Sequence, residues 1–420
     1  MRRLRLIARR VRVSCLVALA WLVPSGIAAA QIVVDTLADG SGGPACTLRD
    51  AIVAANQDMP WGGCDPGAEA SYDQIDLTGL SGTIELYATL PALGSSFGAI
   101  RILGPGADRL AISAADANGG VFVNLDAFTG DTSIEGVTIR DGADSCVVND
   151  GILTLRDCRI TNCHGASGGA AVDGGIAGPL TFLDRCLIDG NTGGSVIRVG
   201  GVASSGGLRL QNSTVTGNEG GIVVNAEGPG GPHYLYASTI ADNGPINLFV
   251  EADDQVSLEH VILKRSTGGG VNCVLGGIVF LPPGTQQISS LAVIADDASC
   301  GLDPLYDVEG VDPMIGPLAD NGGPTFTRAL LPGSPAIDFR WPLCSGFPRP
   351  LEMDQRGPGY PRSLPGTPGA EPHCDAGAFE VPEPDRALAA IAGLAGVALG
   401  SRPRAVRSRS STKGEAQCRR

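Results

Sequence analysis

Ser213-Thr214-Val215-Thr216-Gly217-Asn218 is one of six related stretches, and their recurrence decides the fold. The others begin Val137-Thr138-Ile139, Cys158-Arg159-Ile160, Cys186-Leu187-Ile188, Ser238-Thr239-Ile240 and Val261-Ile262-Leu263. Each is a small or apolar residue, a usually exposed residue, an aliphatic residue, and then a turn rich in Asn, Asp and Gly. Successive third residues lie 21, 28, 27, 25 and 23 positions apart. Self-similarity at a period of about 20–50 residues marks a solenoid. Alternation inside each copy marks a strand, because neighbouring strand side chains face opposite ways.

The rest of each unit supplies two more strands. One follows the turn: Cys146-Val147-Val148-Asn149, Ala170-Ala171-Val172-Asp173, Ser195-Val196-Ile197-Arg198 and Ile222-Val223-Val224-Asn225. Another leads into the next copy: Leu153-Thr154-Leu155, Leu180-Thr181-Phe182, Leu208-Arg209-Leu210, Leu235-Tyr236 and Val256-Ser257-Leu258. No helix-length segment separates them. This describes an all-β chain, a parallel β-helix whose coils stack at about 4.8 Å and bury one shared core. Right-handed coiling follows the general rule for parallel crossovers. Asn191, Asn218 and Asn243 hold matching turn positions, where stacked amides can bond from coil to coil. Tolerance of Asn for left-handed turns explains the same placement.

Composition suits a narrow solenoid. Gly is 61 of 420 residues, about twice the usual share, and aromatics are only 5%. The two ends differ from the body. Six arginines between Arg2 and Arg12 precede an apolar run from Cys15 to Val23, and Ala28-Ala29-Ala30 gives a cleavage pattern, so residues 1–30 read as a secretory signal. An Ala/Gly-rich apolar run, Ala387 to Gly400, precedes a basic tail that includes Arg402, Arg404, Arg407, Arg409, Lys413, Arg419 and Arg420. Without residues 1–30 and 382–420 the body holds 16 basic and 41 acidic residues, a net charge of −25. So acidic a body argues against nucleic acid and anionic lipid as partners, and it permits cation binding.

Cysteine usage agrees with export. Apart from Cys15 and Cys418 there are ten cysteines, an even number that fits a disulfide framework. Proximity suggests Cys46–Cys64, Cys273–Cys300 and Cys344–Cys374. Cys158 and Cys186 occupy equivalent inward positions of adjacent coils, within bonding reach. Cys146 and Cys163 then pair with each other, or all four remain buried thiols. No CxxC pair is present and the four histidines are scattered, which argues against zinc.

Residues 31–71 form an N-terminal cap. It opens on Ile32-Val33-Val34 and holds a short helix with Thr47 as N-cap, Asp50 at the capping-box position, and Leu48, Ala51, Ile52 and Ala55 on one face. Such a helix plugs the open end of a solenoid. Residues 72–282 carry the coils, residues 283–381 are rich in Pro, Gly and Asp, and residues 382–420 form the tail.

Several of these stretches resemble known families. Cys46-Thr-Leu-Arg-Asp-Ala-Ile52 with Ala55-Asn56 resembles the CSLREA motif of secreted bacterial β-helix proteins, with Thr for Ser and Asp for Glu. Asp312-Pro-Met-Ile-Gly-Pro-Leu-Ala-Asp-Asn-Gly-Gly-Pro-Thr325, Leu331-Pro-Gly-Ser-Pro-Ala-Ile-Asp338, Asp354-Gln-Arg-Gly357 and Cys374-Asp-Ala-Gly-Ala-Phe-Glu380 resemble the choice-of-anchor Q domain. Val381-Pro-Glu-Pro384, the apolar run and the arginines resemble a PEP-CTERM sorting signal. The resemblance implies a right-handed β-helix exported to the surface or matrix of a Gram-negative bacterium. It also implies transient membrane anchoring through the tail and processing by an enzyme of exosortase type. The apolar run of about 14 residues is shorter than the ~17–25 of a membrane span.

Parallel β-helices also carry polysaccharide lyases and glycoside hydrolases, so a catalytic site must be sought. Such sites use paired carboxylates, or carboxylate-bound calcium with a basic residue. Outward coil positions offer Asp157, Arg159, Asp184, Asp189, Arg198 and Arg209. The same residues make equally good cross-coil salt bridges on a solvated face. Trp61 and Trp341 are the only tryptophans outside the signal, so platforms for sugar stacking look scarce. In the C-terminal motifs Asp338, Asp354, Asp375 and Glu380 can gather around Arg356, either as an ion-paired knot or as a calcium site. The favoured reading is a non-enzymatic, adhesin-like surface or matrix protein with no bound cofactor and an extracellular polysaccharide or surface partner. A carbohydrate-active β-helix enzyme is the alternative.

Overall fold

The structure, a computed structural model, describes residues 30–67, 72–94, 98–115, 117, 119–125, 132–174, 180–200, 207–224, 233–251, 254–276, 287–339, 344, 346, 349–362 and 373–381. The signal read at residues 1–30 (Ala30 excepted), the sorting tail of 382–420 and Trp341 lie outside the described residues.

Parallel strands stack into three sheets, and each coil adds one strand to a sheet. The first sheet has ten strands, from Ala30–Val33 through Leu180–Asp184, Gly207–Gln211 and His233–Tyr236 to Ile288–Leu291. The second also has ten, from Gly82–Glu85 through the six repeated stretches to Val308–Glu309. The third has seven, from Phe122–Asn124 to Val271–Leu275. Among the described residues one helix accompanies them, Leu48–Gln57. The parallel β-helix expected from the repeat is therefore the fold. Strands Ile288–Leu291 and Ile294–Ala295 pair in register with the coil before them, so the sheets continue beyond residue 282.

Register follows the repeat. Ile139, Ile160, Ile188, Val215, Ile240 and Leu263 are Cα partners in sequence down the second sheet. All six are fully buried, as are Val137, Cys158, Cys186, Ser213, Ser238 and Val261 one corner earlier. Ser213 and Ser238 keep that corner polar without cost. The Cys186 amide donates to Ser213 Oγ at 3.0 Å and the Ser213 amide donates to Ser238 Oγ at 3.2 Å.

The asparagines form a continuous ladder. Asn191 Nδ2 donates to Asn218 Oδ1 at 2.8 Å, and Asn218 Nδ2 donates to Asn243 Oδ1 at 2.7 Å. The chain runs on through Asn247 and Asn272, at 3.0 and 2.8 Å, to the carboxylates of Asp296 and Asp297. Asn191, Asn218, Asn243 and Asn247 also donate to main-chain carbonyls, such as Ile188 O for Asn218. Bonding from coil to coil, and not tolerance of a turn conformation alone, accounts for their recurrence.

The N-terminal cap explains its own motif. Thr47 Oγ1 accepts the Asp50 amide as the N-cap, and Cys46 is bonded to Cys64. Arg49 forks onto Asp39 at 2.9 and 2.7 Å and donates to the carbonyls of Ala88 and Thr89 in an early coil. The two oxygens of buried Asp50 accept the Gly42 amide. Leu48, Ala51, Ile52 and Ala55 face the core. The motif thus bolts a helix over the first coil.

The C-terminal segment does not extend the solenoid. It lies along the outer face of the second sheet, where the hairpin Ile315–Ala319 and Thr327–Leu330 anchors it. Ile262, Ile294 and Ala241 of that face form a second apolar core with Ile315, Leu330, Phe339, Ala376 and Phe379. This corrects one expectation of the repeat. The middle residues Thr214, Thr239 and Ile262 are buried and not exposed. Thr214 Oγ1 donates to Gln355 at 2.6 Å, and the Ala378 amide donates to Thr239 Oγ1 at 3.0 Å. Gly377 has φ +93°, and a Cβ there would sit 2.6 Å from Ile262 Cδ1, so only glycine fits.

Four disulfides are present: the three suggested by proximity, and Cys146–Cys163. Cys158 and Cys186 stay buried thiols. Burial pushes the Cys158 thiol up to about 12.

Truncating the ladder tests its weight. Asn218→Ala leaves the Asn191 amide, Asn191 Nδ2 and Ile188 O without their partner. Each unsatisfied buried group costs about 1–3 kcal/mol. A loss of at least about 3 kcal/mol in denaturant unfolding is expected, against less than about 0.5 kcal/mol for a solvent-facing substitution.

Candidate functional site

The six outward candidates lie on three different faces. Asp157 and Asp184 come together at the corner between the first and second sheets, through Arg185. That guanidinium forks onto Asp157 at 2.8 and 2.7 Å and donates to Asp184 at 3.1 Å. Arg156 adds a bond to Asp184 at 3.2 Å and one to Glu135 at 3.2 Å. On the second sheet Arg159 forks onto Asp189 at 2.8 and 2.6 Å. On the third sheet Arg198 binds Asp173 of the preceding coil at 3.0 and 2.5 Å. Arg209 stands apart on the first sheet. These carboxylates are therefore engaged by arginines, mostly as cross-coil ion pairs, and Asp184 and Asp189 are themselves buried.

The C-terminal carboxylates also meet protein donors. Arg356 forks onto Asp354 at 2.9 and 2.6 Å and donates to the Glu380 carbonyl at 2.6 Å. Its guanidinium is held between the rings of Phe379 and Tyr360, 3.8 and 4.0 Å from their centroids. The Glu380 carboxylate turns instead to Arg362, at 3.3 Å. Asp375 accepts the amides of Asp338 and Val381 at 2.7 and 2.6 Å, while Asp338 itself is exposed. Three of the four metal candidates thus serve as a knot around two arginines. The remaining metal-sized group among the described residues is Cys344, Cys374 and Glu380, but its sulfurs are spent in a disulfide.

Arg362 is the residue that sequence reading missed. It is fully buried and ties the segment to the solenoid, donating to Asn212 Oδ1 at 2.8 Å and to Ala237 O at 3.2 Å. On its other side it donates to Gly377 O at 2.7 Å. Burial pushes the Glu380 carboxyl up to about 8 and that of Asp375 up to about 6, with Arg362 opposing both.

Among the described residues, the outer face of the first sheet is a broad surface where amide, hydroxyl, aromatic and guanidinium side chains converge. Register sets one outward side chain from each strand in a single column. It begins Gln31, Gln74, Arg101, Ser133 and Thr154. It continues Phe182, Arg209, Tyr234, Ser257 and Ser289. No carboxylate occurs in it. Arg209 lies over the Phe182 ring at 4.9 Å and the Tyr234 ring at 5.7 Å, and Arg101 lies over Tyr72 at 3.9 Å. Tyr236 stacks beside Tyr234, with centroids 5.7 Å apart. An aromatic platform therefore exists without tryptophan.

No protein-family model and no curated protein matches this chain. The likeness to CSLREA, choice-of-anchor Q and PEP-CTERM sequences rests on the motif residues themselves.

Two tests follow from the knot. Arg362→Met leaves Glu380 and several carbonyls unpaired, a loss of about 3–5 kcal/mol. Limited proteolysis should then release the C-terminal segment while the coils stay resistant. Acidity acts in the same place. The folded-state values of Asp375 and Glu380 lie above the ordinary carboxylate range, so the docked form holds protons that the undocked chain releases. Their contribution is fully present below that range and is lost as pH rises through about 6 and then about 8. Amide exchange at residues 374–380, corrected for intrinsic rates, should show stronger protection at about pH 5.5 than at about pH 8.5.

Proposed function

We propose that this chain is an exported β-helix protein of the cell surface or extracellular matrix, which binds a glycan or matrix partner without turning it over. The observation that carries the reading is the column on the first sheet, a path of amide, hydroxyl, aromatic and arginine side chains without a carboxylate. Repeat surfaces of this kind suit extended ligands. Four disulfides support an oxidising location. Among the described residues no helix is long and apolar enough to cross a membrane.

The lyase or hydrolase reading needs carboxylates, or carboxylates with a base, converging on a substrate. Asp157, Asp184 and Asp189 face arginines instead. Calcium would have to displace the arginines of the C-terminal knot. Fold alone decides neither reading.

The anchoring part of the proposal rests on the resemblance. A sorting enzyme of exosortase type would act at Val381-Pro-Glu-Pro384. Val381 closes the docked segment by donating its amide to Asp375 at 2.6 Å. The processing site would then begin at this docked residue.

A glycan array read alongside a turnover assay tests the whole. Retention on one or more glycans with no change in their chain length is expected. Release of oligosaccharides would replace this reading with the enzymatic one. Intact-mass measurement of the protein from its native source should show an end near Val381, and a secreted species that keeps Cys418 would remove the sorting step.

A further inference from the structure

We infer that the column centred on Phe182, Arg209 and Tyr234 is a binding track for a neutral, hydroxyl-rich polysaccharide lying parallel to the solenoid axis. This rests on the glycan-binding reading above and assigns its site and ligand class. The three residues are Cα partners on consecutive strands, so their side chains project side by side from one face. All three are partly exposed. Aromatic rings present flat apolar faces to the C–H face of a pyranose, and their edges and hydroxyls reach polar partners. Arg209 stiffens both rings by cation–π contact and keeps its N–H groups beside them for sugar hydroxyls.

Charge selects the ligand. The column holds arginines but no carboxylate, which at first favours an acidic polymer. The next outward column reverses that. Asp76, Glu135, Asp184 and Glu259 each lie two residues along a strand from a column member, with Arg156 among them and bonded to Glu135 and Asp184. That spacing is about 6.6 Å. It is shorter than the screening length of about 8 Å at physiological ionic strength. A polyanion on the column would therefore feel Asp76 and Glu259, which Arg156 does not bond, and behind them a body of net charge −25. A neutral chain meets no such field, and it still finds donors in Arg209, Gln211 and the hydroxyls. Ten strands at about 4.8 Å give a track of about 43 Å. That length suits a polymer better than a small sugar.

Affinity electrophoresis of the full protein tests this, with gels holding hydroxyethylcellulose, galactomannan, dextran or polygalacturonate. One or more of the neutral polymers should retard the protein more than polygalacturonate does. Retardation should change less than about twofold between about 50 and 200 mM salt, as expected without ionic contacts. Tyr234→Ala and Phe182→Ala should each weaken it at least tenfold, while Phe249→Ala on the third sheet leaves it unchanged. Thermal unfolding of each variant confirms that the coils persist. Stronger retardation by polygalacturonate overturns the ligand class. Retardation indifferent to Tyr234 and Phe182 overturns the site but leaves glycan binding standing. No retardation by any of the four polymers removes both.

Discussion

Everything in this molecule depends on the need of each coil to satisfy the polar groups of its neighbour. A parallel strand has no partner within its own coil, so its amides and carbonyls look up and down the stack. The same demand falls on side chains at the corners, which are buried with the backbone. The asparagine ladder answers it by giving each of its buried amides both a donor and an acceptor, mostly one coil away. Its members are nearly all fully buried. Left unpaired there, a single amide would cost as much as several methylenes of core contribute. The ladder therefore fixes register as firmly as the aliphatic stacks do.

The second constraint is lateral. A second-sheet face carrying Ile262 and Ile294 cannot stay in water without inviting association. The C-terminal segment covers it and ties itself down with two arginines. Arg356 is held inside the segment by Asp354, Phe379 and Tyr360. Arg362 bridges to the solenoid. Such buried pairs add little net stability over an apolar alternative, yet they admit one geometry only. The motif Cys374-Asp-Ala-Gly-Ala-Phe-Glu380 reads as a docking kit, with a cross-link, a close-approach glycine, a ring for one arginine and a carboxylate for the other.

The fold was legible because strand alternation and turn asparagines recur with the coil. The inward stack through Ile188 and Val215 follows from that alone. The first sheet was harder to read. Set beside Leu153-Thr154-Leu155, the stretch Leu180-Thr181-Phe182 reads with Phe182 inside. The register instead pairs Leu153 with Thr181, which lies inside and accepts from Asn149 Nδ2 at 2.9 Å. A slip of one residue exchanges the faces of a strand, and so the aromatic column was hidden. Arg362 was invisible for a different reason. Its partners Asn212, Ala237 and Glu380 are far apart in sequence, and nothing local marks an arginine that the tertiary fold will bury.

The ladder has a direction. Each amide-to-amide bond runs toward the C-terminus, and the last amide, Asn272, meets Asp296 and Asp297, with Arg265 beside them. At the other end Asn191 Oδ1 simply accepts the Cys163 amide. The two ends are therefore not interchangeable, and the stack has a head and a tail in the electrical sense. A duplicated coil can enter between the Asn218 and Asn243 copies, where it meets matching groups above and below. A coil appended beyond Asp296 and Asp297 would meet carboxylates, which accept only and offer its asparagine Oδ1 no donor. Lengthening by duplication is thus open in the middle of this solenoid and closed at its C-terminal end.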